Sequence, residues 1–380
     1  MRRLFLIVTG VTVLGHLAFA LAVHEALGRL GFTAWWAWLV AGALAVALVT
    51  SLRGRIRLQR WDQPISRIRM LFVEEPYFAH WFATLLALPL LALVGVAELT
   101  RASIAGEPAR LGTAALVAYL ASLVVGLWAV VVRRRWVRVR EVEIELAGLS
   151  PNLDGYRIAQ MSDLHIGSLC PRGRAERWVD RVNGLGVDLV ALTGDYVTSG
   201  VRFHEDIAGV LGRLRARDGV VAVMGNHDYF GDGEPLIGLL RAGGVRVLRN
   251  ERLRVERDGA AMTVAGVDDI WTRRTNIEKT LDGWSGGEPL VVLAHDPKLF
   301  PDLARRGADL VLSGHTHWGQ VGVPFLATRV NLSRFATRFH SALYREGKAT
   351  LWINPGLGTT GPPIRLGAAP EVTVLRLRAA

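Results

Sequence analysis

Asp163 and His165 stand two residues apart just beyond a short apolar run, Tyr156-Arg157-Ile158-Ala159-Gln160. In extended chain such residues share a face, so one turn can aim both side chains the same way. A carboxylate oxygen beside an imidazole nitrogen suits a borderline divalent cation such as Mn, Fe or Zn. Alone, the pair is equally what a solvated strand end offers. Four later stretches repeat the arrangement. The run 187–192 leads into Thr193-Gly194-Asp195, and 220–224 into Gly225-Asn226-His227-Asp228. The run 290–293 leads into Ala294-His295-Asp296-Pro297, and 310–313 into Gly314-His315-Thr316-His317. Metal-competent side chains gathered after several strands are what an open α/β sheet presents as a site. Glycines before Asp195, Asn226 and His315 are expected to serve tight turns.

The series D-x-H, G-D, G-N-H-D, H and G-H-x-H resembles the calcineurin-like metallophosphoesterases from about Arg157 to the C-terminus. Asn354-Pro355-Gly356-Leu357-Gly358 is similar to the bacterial membrane-associated phosphodiesterase branch of that family. The resemblance implies a two-sheet sandwich flanked by helices, with two divalent metal ions at the strand ends. It implies Asp195 as the ligand shared by both ions, with Asp163, His165 and His317 completing one site and Asn226, His295 and His315 the other. His227 would contact the phosphate and protonate the leaving oxygen, with Asp228 as the carboxylate that holds its imidazole protonated. Trp318 departs from the branch, which carries glycine there. Its indole either narrows the pocket and stacks on substrate or packs on the domain. Gln320 is within sequence reach of the site.

Hydrolysis of a phosphoester at neutral pH needs charge neutralised on the phosphoryl oxygens and an acidified water. Two divalent ions roughly 3.5–4 Å apart supply both. The substrate class expected is a phosphodiester or pyrophosphate, with a lipid-linked molecule as one candidate. The alternatives are a phosphomonoesterase or nucleotide phosphodiesterase on soluble substrates, and a non-catalytic metal-binding scaffold. A scaffold would be expected to have lost ligands, and every matching position is filled.

These elements sit in a chain of 380 residues that is 51% hydrophobic, with formal charge +11. Its positive charge is lopsided. Residues 1–140 hold 16 Lys and Arg against 6 Asp and Glu, and the remainder 29 against 28. The stretch bearing the motifs therefore has no basic stripe of the kind nucleic acid requires. Cys170 is the only cysteine, which excludes an intrachain disulfide and a cysteine metal cluster. Its thiol follows the first motif and is read as a bystander.

Apolar runs at 4–23, 33–52, 78–96 and 113–132 each have about the 20 residues needed to span hydrocarbon. The first lacks a small-x-small cleavage site, so it is read as a span rather than a signal peptide. His16 and His80 fall in these runs and are read as neutral and packed between helices. The spans hold almost no internal charge, which disfavours a transporter. Arginines concentrate before the first span (Arg2, Arg3), between the second and third (Arg53, Arg55, Arg57, Arg60, Arg67, Arg69) and after the fourth (Arg133, Arg134, Arg135, Arg138, Arg140). That asymmetry predicts an inner-membrane protein with both termini and the following domain in the cytoplasm.

Residues 1–136 are thus expected to form an all-α transmembrane region of four helices, and 137–380 an α/β metallophosphoesterase domain. Within the latter, alternation predicts a strand over 137–146. Helical spacing appears at 174–185, 206–214, 234–241 and 297–305, and further strands at 349–353 and 372–377. Strands alternating with helices favour a layered α/β fold.

Overall fold

The computed structural model describes residues 2–58 and 64–380, with the side chains of residues 2–5 and 57–58 outside the description. Of the arginines used for orientation, Arg60 and the side chains of Arg2, Arg3 and Arg57 therefore lie outside the described residues. The described chain forms two compact units, 2–58 with 66–133, and 64–65 with 134–380.

The first unit is all helix: α1 (Arg2–Arg29), α2 (Ala34–Leu58), α3 (Arg67–Arg69), α4 (Glu75–Ala105) and α5 (Leu111–Leu127). Four stretches are long and apolar enough to cross a membrane: Leu6–Arg29, Ala34–Ile56, Arg67–Ala105 and Leu111–Arg135. The third outruns the apolar run 78–96 because a π-helical turn, Met70–Glu74, joins α3 to α4 without a break. Glu74 in that turn is buried and receives Arg55 at 3.0 Å and Arg69 at 2.9 Å. Small residues let these helices approach closely; a Cβ on Gly15 would lie 2.9 Å from the Thr84 carbonyl oxygen.

His16 and His80 form one directed chain within this unit. The Thr12 carbonyl can only accept, so His16 Nδ1 donates to it at 2.8 Å, and His16 Nε2 accepts from His80 Nε2 at 3.2 Å. His80 Nδ1 then accepts the Tyr119 hydroxyl at 2.9 Å. All four ring nitrogens are satisfied with both imidazoles neutral, as the packed-histidine reading expects.

The second unit is a two-sheet sandwich. Its elements are β1 (Arg138–Leu146), β2 (Arg157–Met161), α6 (Arg172–Asn183), β3 (Leu189–Leu192), α7 (His204–Leu211), β4 (Val220–Ala222), α8 (Glu234–Ala242), β5 (Arg246–Val247) and β6 (Glu251–Arg257). β7 (Ala260–Val267), α9 (Ile277–Leu281), β8 (Leu290–Ala294), α10 (Phe300–Arg305), β9 (Leu310–Ser313), β10 (Ala342–Glu346), β11 (Ala349–Ile353) and β12 (Glu371–Ala379) complete it. One sheet has the order β1-β12-β2-β3-β4-β5, the other β10-β11-β9-β8-β7-β6. β2 to β5 run parallel, as do β7, β8, β9 and β11.

Strand alternation builds three layers of core. Leu189 and Ala191 of β3 face Val291, Leu293, Leu310 and Leu312 of the opposite sheet. Val190 and Leu192, one residue out of phase, face outward onto Trp178 and Val182 of α6, Ile207 and Leu211 of α7 and Leu240 of α8. On the other outer face Val292 and Val311 pack with Phe300 and Leu303 of α10. With both faces covered, the central strands are apolar throughout. Each parallel strand must then release its polar residues at its carboxyl end.

Candidate metal centre

Asp163 and His165 follow β2, Asp195 follows β3, and Asn226, His227 and Asp228 follow β4. His295 follows β8, and His315 and His317 follow β9. Five of these residues hold left-handed backbone conformations: Asp163 (φ 52°), His165 (47°), Asp195 (57°), His315 (67°) and His317 (51°). Such conformations are uncommon outside glycine, cost of order 1–3 kcal/mol each, and gather at functional sites. Cross-links between the loops hold them. Asp163 N–H donates to the Gly194 carbonyl at 2.9 Å, His165 N–H to that of Asp195 at 3.0 Å, and Gly358 N–H to that of Asp163 at 2.7 Å.

The three glycines divide differently from expectation. Gly194 makes the expected turn with φ 89°. Gly225 and Gly314 have no positive φ and serve close approach instead. A Cβ on Gly225 would lie 2.6 Å from the Asp195 amide nitrogen, and one on Gly314 would strike the Ser162 hydroxyl and the Asp163 carboxylate.

The side chains converge in two overlapping groups. In the first, His317 Nε2 lies 3.2 Å from Asp163 Oδ1 and 3.0 Å from His165 Nε2. In the second, His295 Nε2 lies 3.2 Å from Asp195 Oδ2 and 3.2 Å from His315 Nδ1. Asp195 Oδ2 also lies 3.6 Å from His165 Nε2, so this one oxygen stands between the groups. Sets of three with ligand atoms within 4.8 Å of one another are Asp163, His165 and His317, then His165, Asp195 and His227, then Asp195, His295 and His315. Asn226 Oδ1 is buried with no hydrogen-bond partner. That oxygen is therefore available to a cation.

The electrostatics agree with a cation-binding donor set. Burial opposes charge on Asp163 and Asp195, yet the surrounding imidazoles hold both carboxyls below the ordinary range. Burial pushes His165 well below the usual imidazole value and lowers His315, which leaves neutral rings with lone pairs to offer. His295 alone moves up. Burial opposes its proton, but the Asp195 carboxylate outweighs burial. His295 Nδ1 donates to the Thr193 carbonyl at 2.7 Å, which orients Nε2 toward Asp195.

Asp228 is not where the resemblance puts it. Its carboxylate accepts four backbone N–H groups, those of Asp195 (2.9 Å), Gly225 (2.9 Å), Tyr196 (2.7 Å) and Val197 (3.2 Å). The His227 ring instead donates from Nδ1 to the Thr198 carbonyl at 2.6 Å. An oxygen already surrounded by amide donors is spent on the loops, and the loop carbonyl takes the imidazole. His227 N–H donates to Asp195 Oδ1 at 2.9 Å, the oxygen turned away from the histidines.

Trp318 is buried in the outer core with its indole N–H on the Ile353 carbonyl at 2.9 Å, so of its two readings the structure gives domain packing. Gln320 spends both ends of its amide on Thr360, accepting from its N–H at 2.9 Å and donating to its carbonyl at 2.7 Å. Cys170 is buried in the core under α6. Residues not given a role in the sequence complete the surroundings. Arg365, fully buried, donates to the Pro355 and Gly358 carbonyls and lies 3.3 Å from His317 Nδ1. Trp271, exposed beside His315, donates to Asp296 at 2.7 Å, and exposed Phe230 lies against His227 with the two rings tilted by 50°. Arg365 and Trp271 come from loops far along the chain, where no spacing signal marks them.

Residues 156–319 match the family model described as calcineurin-like phosphoesterase. Over 258 residues the chain is 34% identical to a transmembrane protein with metallophosphoesterase domain from Danio rerio, covering 64% of this chain and 58% of that protein. Over 260 residues it is 33% identical to the Bos taurus protein of the same description, covering 64% and 57%. Over 244 residues it is 32% identical to the metallophosphoesterase YkoQ of Bacillus subtilis (strain 168), covering 62% and 89%. The chain belongs to the calcineurin-like phosphoesterases. It spans less than two thirds of the length of the vertebrate relatives, and with vertebrate and bacterial relatives alike, the matches single out no bacterial branch.

Proposed function

We propose that the chain is a membrane-anchored phosphohydrolase that uses two divalent ions, drawn from Mn, Fe or Zn, to cleave a phosphodiester or pyrophosphate bond in a lipid-linked substrate. Residues 1–136 are the transmembrane region and 137–380 the catalytic domain, facing the cytoplasm from the inner membrane. The observation that carries this reading is the single Asp195 oxygen lying between two groups of ligands. Asp163, His165 and His317 would hold one ion, Asn226, His295 and His315 the other, with Asp195 common to both.

Bound divalent ions supply positive charge at the phosphoryl oxygens and acidify a water. The remaining work falls to the chain's own residues. Asp195 keeps Oδ2 toward both ligand groups because its Oδ1 is held by the His227 amide. His227 is the general acid. The Thr198 carbonyl on Nδ1 supports the protonated ring and leaves Nε2 to deliver a proton to the leaving oxygen. Asp228 acts through the backbone as a positioning residue. Exposed Phe230 and Trp271 flank the cluster as apolar surfaces for an amphiphilic substrate.

The test is turnover by detergent-purified full-length protein in Mn, Zn and Mg. A lipid-linked diphosphate in mixed micelles is compared with a short-chain soluble analogue, a soluble nucleotide diester and a phosphomonoester. The proposal expects the lipid substrate to be preferred. Preference for the monoester or the nucleotide would establish the soluble-substrate alternative, and metal binding without turnover on any ester would establish a scaffold.

A further inference from the structure

The segment after the G-H-T-H turn breaks the pattern of the rest of the second unit. From residue 321 to 345 it contains no Asp or Glu and four arginines, Arg329, Arg334, Arg338 and Arg345. Phe339 and Ala327 are buried, but six of its other apolar side chains point outward. Phe325 is 103% exposed and Phe335 90%, with Val323, Leu326, Val330 and Leu332 each at least 45% exposed. Single exposed apolar residues are ordinary, but two bare phenyl rings and four aliphatic side chains on one short segment form a patch that marks an interaction surface.

The segment is built rather than loose. Val323 N–H donates to the Val330 carbonyl at 2.9 Å and Val330 N–H to that of Leu326 at 2.7 Å, closing a turn with Phe325 at its tip. Buried Asn331 donates to the Ala327 carbonyl at 2.7 Å and accepts the Arg334 N–H at 3.1 Å, which sets the turn that presents Phe335. Arg334 donates to the Arg329 carbonyl at 3.1 Å, and Arg338 pairs with Glu346 at 3.2 Å.

We infer that this segment is a membrane-contacting face that seats its phenyl rings in the headgroup region of an anionic bilayer. Two observations select that occupant. Apolar tips among arginines, of which, among the described residues, only Arg338 is paired with a carboxylate, that of Glu346, are complementary to anionic headgroups over hydrocarbon. The same chain carries four helices apolar enough to cross a membrane, which would hold the segment near a bilayer. The inference rests on that membrane reading and is independent of the substrate. It also touches the metal centre. Thr316, between His315 and His317, donates its hydroxyl to the His340 carbonyl at 3.2 Å, and a Cβ on Gly319 would lie 2.7 Å from the Leu332 amide nitrogen. Seating the segment therefore fixes the turn that supplies two candidate ligands.

The test uses full-length protein in nanodiscs of phosphatidylcholine with and without phosphatidylglycerol, in a Cys170→Ser background. Bimane is attached in turn to Phe325→Cys, Phe335→Cys, Leu17→Cys in α1 and the exposed Arg217→Cys. The proposal expects doxyl-lipid quenching at 325, 335 and 17, with iodide quenching at 217. Quenching at 325 and 335 should strengthen with phosphatidylglycerol, and Arg329→Glu with Arg334→Glu should abolish that increase. Lipid quenching at 17 with iodide quenching at 325 and 335 overturns the inference alone. Absence of lipid quenching at 17 overturns it together with the membrane reading. Protection of 325 and 335 from iodide that persists in lipid-free amphipol assigns the face to a protein contact and also overturns it.

Discussion

Asp228 grips Asp195 by the backbone: its Oδ2 accepts the Asp195 N–H at 2.9 Å while its Oδ1 takes the next two amides. The shared candidate ligand is thus held in its left-handed conformation by a residue three places past Gly225. Asp228→Ala is expected to lower unfolding stability by about 3 kcal/mol or more, because each buried donor left without a partner costs about 1–3 kcal/mol. Bound metal should fall with it. Thermal unfolding and metal analysis on the same preparation check this. Intact stability and metal content with only His227 chemistry impaired would return Asp228 to the imidazole.

Asp195→Asn keeps the shape of the side chain and removes one negative charge from between the two ligand groups. It is expected to abolish hydrolysis and release most bound metal while circular dichroism stays native. Two full metal equivalents with near-normal turnover would remove Asp195 from the shared position.

His227→Ala is expected to retain metal and to slow turnover by roughly 10²–10⁴, the usual range for a general acid. Leaving groups of low pKa need little protonation, so the loss should shrink from alkyl to p-nitrophenyl esters. An equal loss on both would show that the ring does not protonate the leaving oxygen.

Trp318→Ala should destabilise the domain by about 3–5 kcal/mol, the scale of deleting a buried indole. The ratio of rates between substrates should stay unchanged, since the ring packs inward and bonds to Ile353. A changed ratio at unchanged stability would put the indole in the substrate pocket.

The sequence was most legible where burial is most complete. β3, β8 and β9 are covered on both faces, so each reads as an apolar run, and a candidate ligand follows within three residues of its last aliphatic side chain. The antiparallel hairpin of β6 and β7 is less legible. β6 alternates charged with apolar residues, and its signal was the Asp258-Gly259 turn, where both residues have positive φ. Asp228 could not be placed from sequence because three of its four partners are amides 31–33 residues away, brought to it only by loop packing. Gln320 failed in the same way, since Thr360 becomes its neighbour only after the chain returns from β11. The third apolar run is shorter than its helix because Glu74 breaks the hydropathy pattern but, paired with two arginines, not the helix.

The left-handed turns at Asp163, His165, Asp195, His315 and His317 also restrict what can replace these residues. Asp and His are among the few non-glycine residues that enter this conformation readily. A drift toward cysteine or glutamate would therefore meet a conformational penalty before any question of cation affinity arose. The backbone thus acts as a filter on donor identity and preserves a mixed oxygen–nitrogen set. An engineered thiolate version would have to rebuild its turns first.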